Sequence, residues 1–154
     1  MFVLFGPPGV GKNTLGSHLA KNLGIATSDI DHLIEKAVGM SCAAFVEQHG
    51  EFAFRALEEL IVEDLLPGII ICGGGTILNP KNRGALEALG TLVYLTCPRL
   101  LLLERAFSKP RALYKTTSDY EKLLEKRLPQ YESIEAKRVD TSTPIEKQME
   151  CIYG

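Results

Sequence analysis

The residues Phe2-Val-Leu-Phe-Gly6-Pro-Pro-Gly9-Val-Gly11-Lys12-Asn13-Thr14 set the tightest limit on what this chain can fold into. An apolar run enters a glycine-rich stretch with the spacing Gly-x-x-x-x-Gly-Lys, and Leu15, Leu19 and Leu23 then recur at helical spacing. Strand, loop and helix in that order make a phosphate-binding loop. Its glycines take torsions that a Cβ forbids, so successive N–H groups turn inward around an anion. The following helix aims its N-terminus at the same anion, and Lys12 reaches the outer phosphates. Asn13 stands where a Ser or Thr hydroxyl normally meets Mg²⁺, with Thr14 one place later. The loop therefore specifies a nucleotide and leaves the metal contact to be worked out.

The rest of the chain alternates in the same sense. Ile69-Ile70-Ile71-Cys72 is a compact β-branched run ending in Gly73-Gly74-Gly75, and Thr91–Thr96 is a further strand. A short piece over 24–27, with Asp29 and Asp31 after it, supplies another strand, and a short strand lies near Val139. Helices are predicted after the glycine loop, from Ser28 onward, over about 42–65 and 80–89, from Pro98, over about 119–135 and from Pro144. Such alternation means an α/β sheet, mostly parallel and covered on both faces, with ligands at the carboxyl ends of its strands. At 154 residues one domain, 1–154, is expected. A net charge of −2 argues against nucleic acid as a main partner. No apolar run approaches the ~20 residues that span a bilayer, so no membrane partner is expected. Cys42, Cys72, Cys97 and Cys151 show no Cys-x-x-Cys pairing, which favours a reducing cytoplasm; Cys72 and Cys97 read as small core residues.

Several side chains carry two readings each. Asp29 or Asp31 can cap the helix that follows them; at a strand end beside the glycine loop, one can also hold Mg²⁺ through water and the other accept a hydroxyl proton. Arg55 can pair with Glu58 or Glu59 on a helix surface, or offer its fork to a substrate carboxylate. Arg127, among Lys122, Glu125 and Lys126, reads by itself as part of a solvated face. Three consecutive glycines at 73–75 exceed what a turn needs and suggest close approach to the backbone, by a substrate oxygen or a phosphate. Residues 107–118 lose periodicity and read as a mobile loop whose Lys109 and Arg111 can close over phosphates. His18, His32 and His49 form no metal-like cluster.

In this order the motifs resemble shikimate kinase over nearly the whole chain: Gly6–Thr14, Asp29-x-Asp31, Gly39-Met40-Ser41, Gly50-Glu51 with Phe54-Arg55 and Glu58, Gly73–Gly75, and Arg127-x-Pro129-x-Tyr131. The resemblance implies a three-layer P-loop kinase fold, with a five-stranded parallel sheet, a lid at about 107–118 and a helical substrate-binding region at about 31–64. It implies transfer of the γ-phosphoryl of MgATP to the 3-hydroxyl of shikimate, within aromatic amino-acid biosynthesis. Asp31, Arg55, Gly74 and Arg127 would hold shikimate, and Asp31 would also take or orient the hydroxyl proton. Lys12 would be catalytic, and Gly9, Val10, Gly11, Lys12, Asn13 and Thr14 would bind the phosphates of ATP. Asp29 would organise the Mg²⁺ shell with Asn13. The family's lid usually carries Arg-Pro-Leu-Leu, whereas Lys109-Pro110-Arg111-Ala112-Leu113 stands here. Either cation fits the role: Lys109 by its place before Pro110, Arg111 by its planar fork. A monomer in the cytoplasm is expected. Other readings are a different small-molecule P-loop kinase, acting on gluconate or a nucleotide, or a nucleotide-binding module without catalysis. A nucleotide acceptor calls for several clustered arginines, and Arg55 with Arg127 suits a single carboxylate better.

Overall fold

In a computed structural model describing residues 1–107 and 114–153, five parallel strands form one sheet in the order β2-β3-β1-β4-β5. The strands are β1 (Phe2–Phe5), β2 (Thr27–Asp29), β3 (Ile69–Ile71), β4 (Thr91–Thr96) and β5 (Lys137–Asp140). The helices are α1 (Lys12–Leu23), α2 (Ile30–Val38), α3 (Cys42–Glu63), α4 (Pro80–Leu89), α5 (Arg99–Arg105), α6 (Thr117–Glu132) and α7 (Ile145–Tyr153). A 3-10 turn, Thr76–Leu78, precedes α4. The expected α/β architecture is present, with helices on both faces.

Alternation along the strands builds two cores. Leu4, Ile69, Ile71, Val93 and Leu95 face one way and meet Leu15 and Leu19 of α1, Leu102 of α5 and Ile152 of α7. Val3, Phe5, Ile70, Cys72, Leu92 and Tyr94 face the other way, against Ile30, Ile34, Phe54, Val62 and Leu86. Burying each such aliphatic side chain contributes roughly 1.5–3 kcal/mol, which is why these strands carry apolar residues on both faces. Helix α6 serves both layers: Tyr120 and Leu124 pack in the first core and Tyr131 in the second.

Three element boundaries differ from the sequence reading. The strand expected over 24–27 lies at Thr27–Asp29, and the helix expected from Ser28 starts at Ile30, with Asp29 as its cap. The helix expected over about 42–65 is broken at Gly50, whose φ of +85° and ψ of 165° lie outside the helical region, so its two halves take different directions. Helix α6 begins at Thr117, inside the stretch read as a loop, because Thr116 caps it by accepting from the Asp119 N–H at 3.1 Å. Lys109 and Arg111 lie outside the described residues.

Candidate active site

The ends of β1, β2, β3 and β5 open onto one cleft of about 840 Å³, a size suited to a small-molecule site. Its donor side is the loop after β1. Gly9 and Gly11 hold φ of +86° and +105°, torsions that reserve both positions for glycine. Lys12 Nζ donates to the carbonyls of Gly6 (2.8 Å) and Pro7 (3.2 Å), which keeps the ammonium over the loop. The back of the loop is tied down from just past β5: the Thr141 hydroxyl donates to Val10 O, the Thr141 N–H donates to Thr96 O at 2.9 Å, and Gln148 donates to Thr141 O at 3.2 Å. Asn13, Thr14, Arg105, Thr141 and Gln148 line this side.

The acceptor side is assembled from distant segments. Asp29 caps α2, its carboxylate accepting from the His32 N–H at 3.2 Å, and it also lines the cleft. The capping reading of that residue is thus observed, and its place in the lining leaves it open to the cleft. Asp31 sits in the first turn of α2, and Arg55 and Glu58 come from α3. The ion pair between Arg55 and Glu58 exists at 2.9 Å, but it is no surface pair, because Glu58 is 1% exposed. Glu58 accepts from Arg55 Nη1 through one oxygen and from the buried Thr76 hydroxyl, at 2.7 Å, through the other. Glu59 instead accepts from Asn79. Charge-assisted bonds of this kind fix a guanidinium's plane as well as its position.

The glycine triplet explains how these groups meet. A Cβ on Gly73 would stand 2.6 Å from Asp31 Oδ1, on Gly74 2.8 Å from Arg127 Nη1, and on Gly75 2.5 Å from Arg55 Nη2. Each glycine thus makes room for one functional side chain of the site itself. The close approach inferred from the sequence is real, and the chain's own side chains make it.

Arg127 overturns its surface reading. It is 7% exposed, on the buried stripe of α6 with Tyr120, Leu124 and Tyr131. Among the described residues no carboxylate lies within ion-pair distance of it. A buried guanidinium without a counter-charge is costly, and a bound anion removes that cost. Cys42 lines the same side, with its N–H on Glu35 at 2.9 Å. Burial, with Asp31 and Glu35 adding to it, pushes its thiol up to about 12, so it is a protonated wall of the pocket.

Glu58, Thr76, Arg105 and Thr141 were given no role from sequence. Glu58 carried a signal in its spacing from Arg55, but nothing local distinguishes a buried pair from an exposed one. Thr76, Arg105 and Thr141 belong to no motif; Arg105 and Thr141 reach the cleft through tertiary packing alone, and Thr76 acts behind it by bonding Glu58. Among the described residues no group of three or more His, Cys, Asp or Glu side chains is placed to hold a metal ion. None of their helices is long and apolar enough to cross a membrane.

A glycine loop at the end of the central strand, its lysine, and an acceptor pocket of one aspartate and two arginines define a P-loop kinase of small molecules. The comparisons with known proteins narrow the class. The family model for shikimate kinase matches residues 8–153, and on that match the chain belongs to the shikimate kinase family. It is 38% identical to the shikimate kinase of Streptococcus gordonii, covering 94% of this chain and 93% of the relative. It is 33% identical to that of Acinetobacter baylyi, covering 95% and 85%. Among solved structures it resembles the shikimate kinase from Acinetobacter baumannii in complex with shikimate, with a TM-score of 0.88 and 32% identity over 99% of this chain and 92% of that one. A gluconokinase from Sinorhizobium meliloti, at 16% identity and a TM-score of 0.50, shares only the fold.

Proposed function

We propose that Asp31, Arg55, Gly74 and Arg127 hold shikimate while the loop Gly9–Thr14 holds ATP, so that the γ-phosphoryl passes to the 3-hydroxyl. The observation that carries this reading is the pair of guanidiniums set against the consecutive residues Gly74 and Gly75, with Arg127 buried. Two such forks converging beside a carboxylate suit an acceptor bearing one carboxylate and several hydroxyls. Arg55 is paired with Glu58, and Arg127, which has no carboxylate partner among the described residues, would gain one from the substrate.

Phosphoryl transfer asks mainly for alignment and for neutralisation of charge on the moving group. Asp31, against Gly73, is placed to accept or orient the proton of the attacking hydroxyl. Lys12 and the loop N–H groups meet the phosphate oxygens. Arg105, beside Gly11, and Thr141 lie within reach of the rest of the nucleotide. Lys109 and Arg111, outside the described residues, remain the two candidates for the lid cation.

Asn13 and Asp29 both line the cleft and offer oxygen donors, and they fit Mg²⁺, which keeps several waters and takes few protein ligands. Bound there, the ion would neutralise phosphate charge; Asn13 would meet it through its amide oxygen or through water, and Asp29 through the water shell. A monomer in the cytoplasm is part of the same proposal. The monomer part is argued from exposed apolar residues that fall on different elements, Phe52 on α3, Leu66 after it and Leu100 on α5. An ADP-release assay with shikimate, gluconate and nucleoside monophosphates tests the acceptor. Turnover with shikimate alone is expected, and no turnover with shikimate refutes the assignment.

A further inference from the structure

Helix α6 carries a buried stripe at Tyr120, Leu124, Arg127 and Tyr131, and Arg127 accounts for only one of its three polar members. The two tyrosines, both fully buried, donate to backbone carbonyls in two different loops that line the cleft. Tyr120 Oη donates to Pro8 O at 2.6 Å, in the loop that meets the phosphates. Tyr131 Oη donates to Gly74 O, in the triplet that meets the acceptor residues. Eleven residues of helix separate them, roughly 16 Å along the axis. The helix thus passes from one core to the other across the carboxyl ends of the strands, with Arg127 between its two attachments.

Each bonded carbonyl belongs to a planar peptide, and its orientation fixes the N–H on the other side of that peptide. Holding Pro8 O sets the direction of the Gly9 N–H, and holding Gly74 O sets that of the Gly75 N–H. Gly9 and Gly75 both line the cleft. The two loops also abut directly: a Cβ on Gly74 would lie 3.1 Å from Pro8 Cγ. Helix α6 bonds one carbonyl in each of these loops, so each hydroxyl holds its own peptide.

We infer that Tyr120 and Tyr131 are positioning residues for the phosphoryl transfer, Tyr120 acting on nucleotide affinity through the Pro8–Gly9 peptide and Tyr131 on shikimate affinity through the Gly74–Gly75 peptide. The inference rests on the proposed roles of the glycine loop and Arg127. Burial pushes the Tyr131 phenol up to about 12, so it stays a donor throughout the neutral range. Phe5 and Tyr94 pack against its ring, with centroids at 6.1 and 5.7 Å, which leaves the ring little freedom to turn from the carbonyl.

The test uses the full chain with Tyr120→Phe, Tyr131→Phe and Arg127→Ala, titrated calorimetrically with shikimate and, separately, with a non-hydrolysable ATP analogue. Loss of one hydroxyl bond is expected to weaken the matching ligand about fivefold and to leave the other within about twofold. Tyr120→Phe should show this for the analogue and Tyr131→Phe for shikimate. If the hydroxyls merely satisfy buried groups, the variants lose melting temperature or active fraction while both dissociation constants stay at wild-type values; that result, or equal weakening of both ligands, overturns the inference. Each single variant tests its own half, so a loss of folding in one leaves the other decisive. Arg127→Ala separates the two levels. Unchanged shikimate binding there removes the acceptor-site reading itself, whereas weakened binding with an unaffected Tyr131→Phe removes only the role of the tyrosine.

Discussion

The donor side of the cleft is built mainly from one stretch, the loop after β1 and the first turn of α1, with Arg105, Thr141 and Gln148 added around it. The acceptor side instead draws Asp31 from α2, Arg55 and Glu58 from α3, Gly73–Gly75 from the turn after β3 and Arg127 from α6. The chemistry differs as much as the origin. The loop offers backbone N–H groups and one lysine, and its glycines serve their own torsions. The proposed acceptor side offers charged side chains, and its glycines make room for those side chains. A phosphate chain is alike in every nucleotide, so a local motif can be built for it once. An acceptor must be distinguished by shape and charge, which needs groups arriving from several directions.

The sharpest break between the halves should come at Asp31, the one acceptor residue assigned to proton transfer. Asp31→Asn is expected to lower turnover by about 10²–10⁴-fold while changing the KM for ATP little. Initial rates over a grid of both substrates read this directly. Glu58→Gln should come next. It keeps the shape but removes the charge that aims Arg55, so shikimate affinity should fall roughly tenfold and stability by about 1–2 kcal/mol, with ATP affinity unchanged. Thermal melts and calorimetry check the two parts, and unaltered shikimate binding would make Glu58 a packing residue only. The smallest effect is expected on the donor side. Asn13→Ser should lower the Mg²⁺ concentration needed for half-maximal rate by about threefold, because a hydroxyl replaces an amide at the metal contact. Equal Mg²⁺ dependence in the two proteins would show that residue 13 does not meet the ion.

The same division separates what was legible in the sequence from what was not. The parallel sheet, the glycine loop, α4 over Pro80–Leu89 and β4 over Thr91–Thr96 follow from period, breakers and caps, which are local properties. The break at Gly50 escaped notice because apolar spacing continues on both sides of it. Arg127 stands among Lys122, Glu125 and Lys126, and its neighbours do point to solvent; only the fold shows that its own face turns inward with Tyr120, Leu124 and Tyr131. The glycine triplet announced a close approach but not by what. Its partners lie 20 to 53 positions away in the chain at Arg55, Asp31 and Arg127, and no short window contains them.

The central claim is that the acceptor site is a separate assembly whose arginines bind the substrate's carboxylate. Calorimetric titration of Arg55→Ala with shikimate tests it most directly, with an ATP analogue as the internal reference. Removal of one charge-assisted fork is expected to weaken shikimate by roughly 30- to 100-fold, about 2–3 kcal/mol, and to leave the analogue within about twofold of wild type. Shikimate binding at wild-type strength in Arg55→Ala would contradict it.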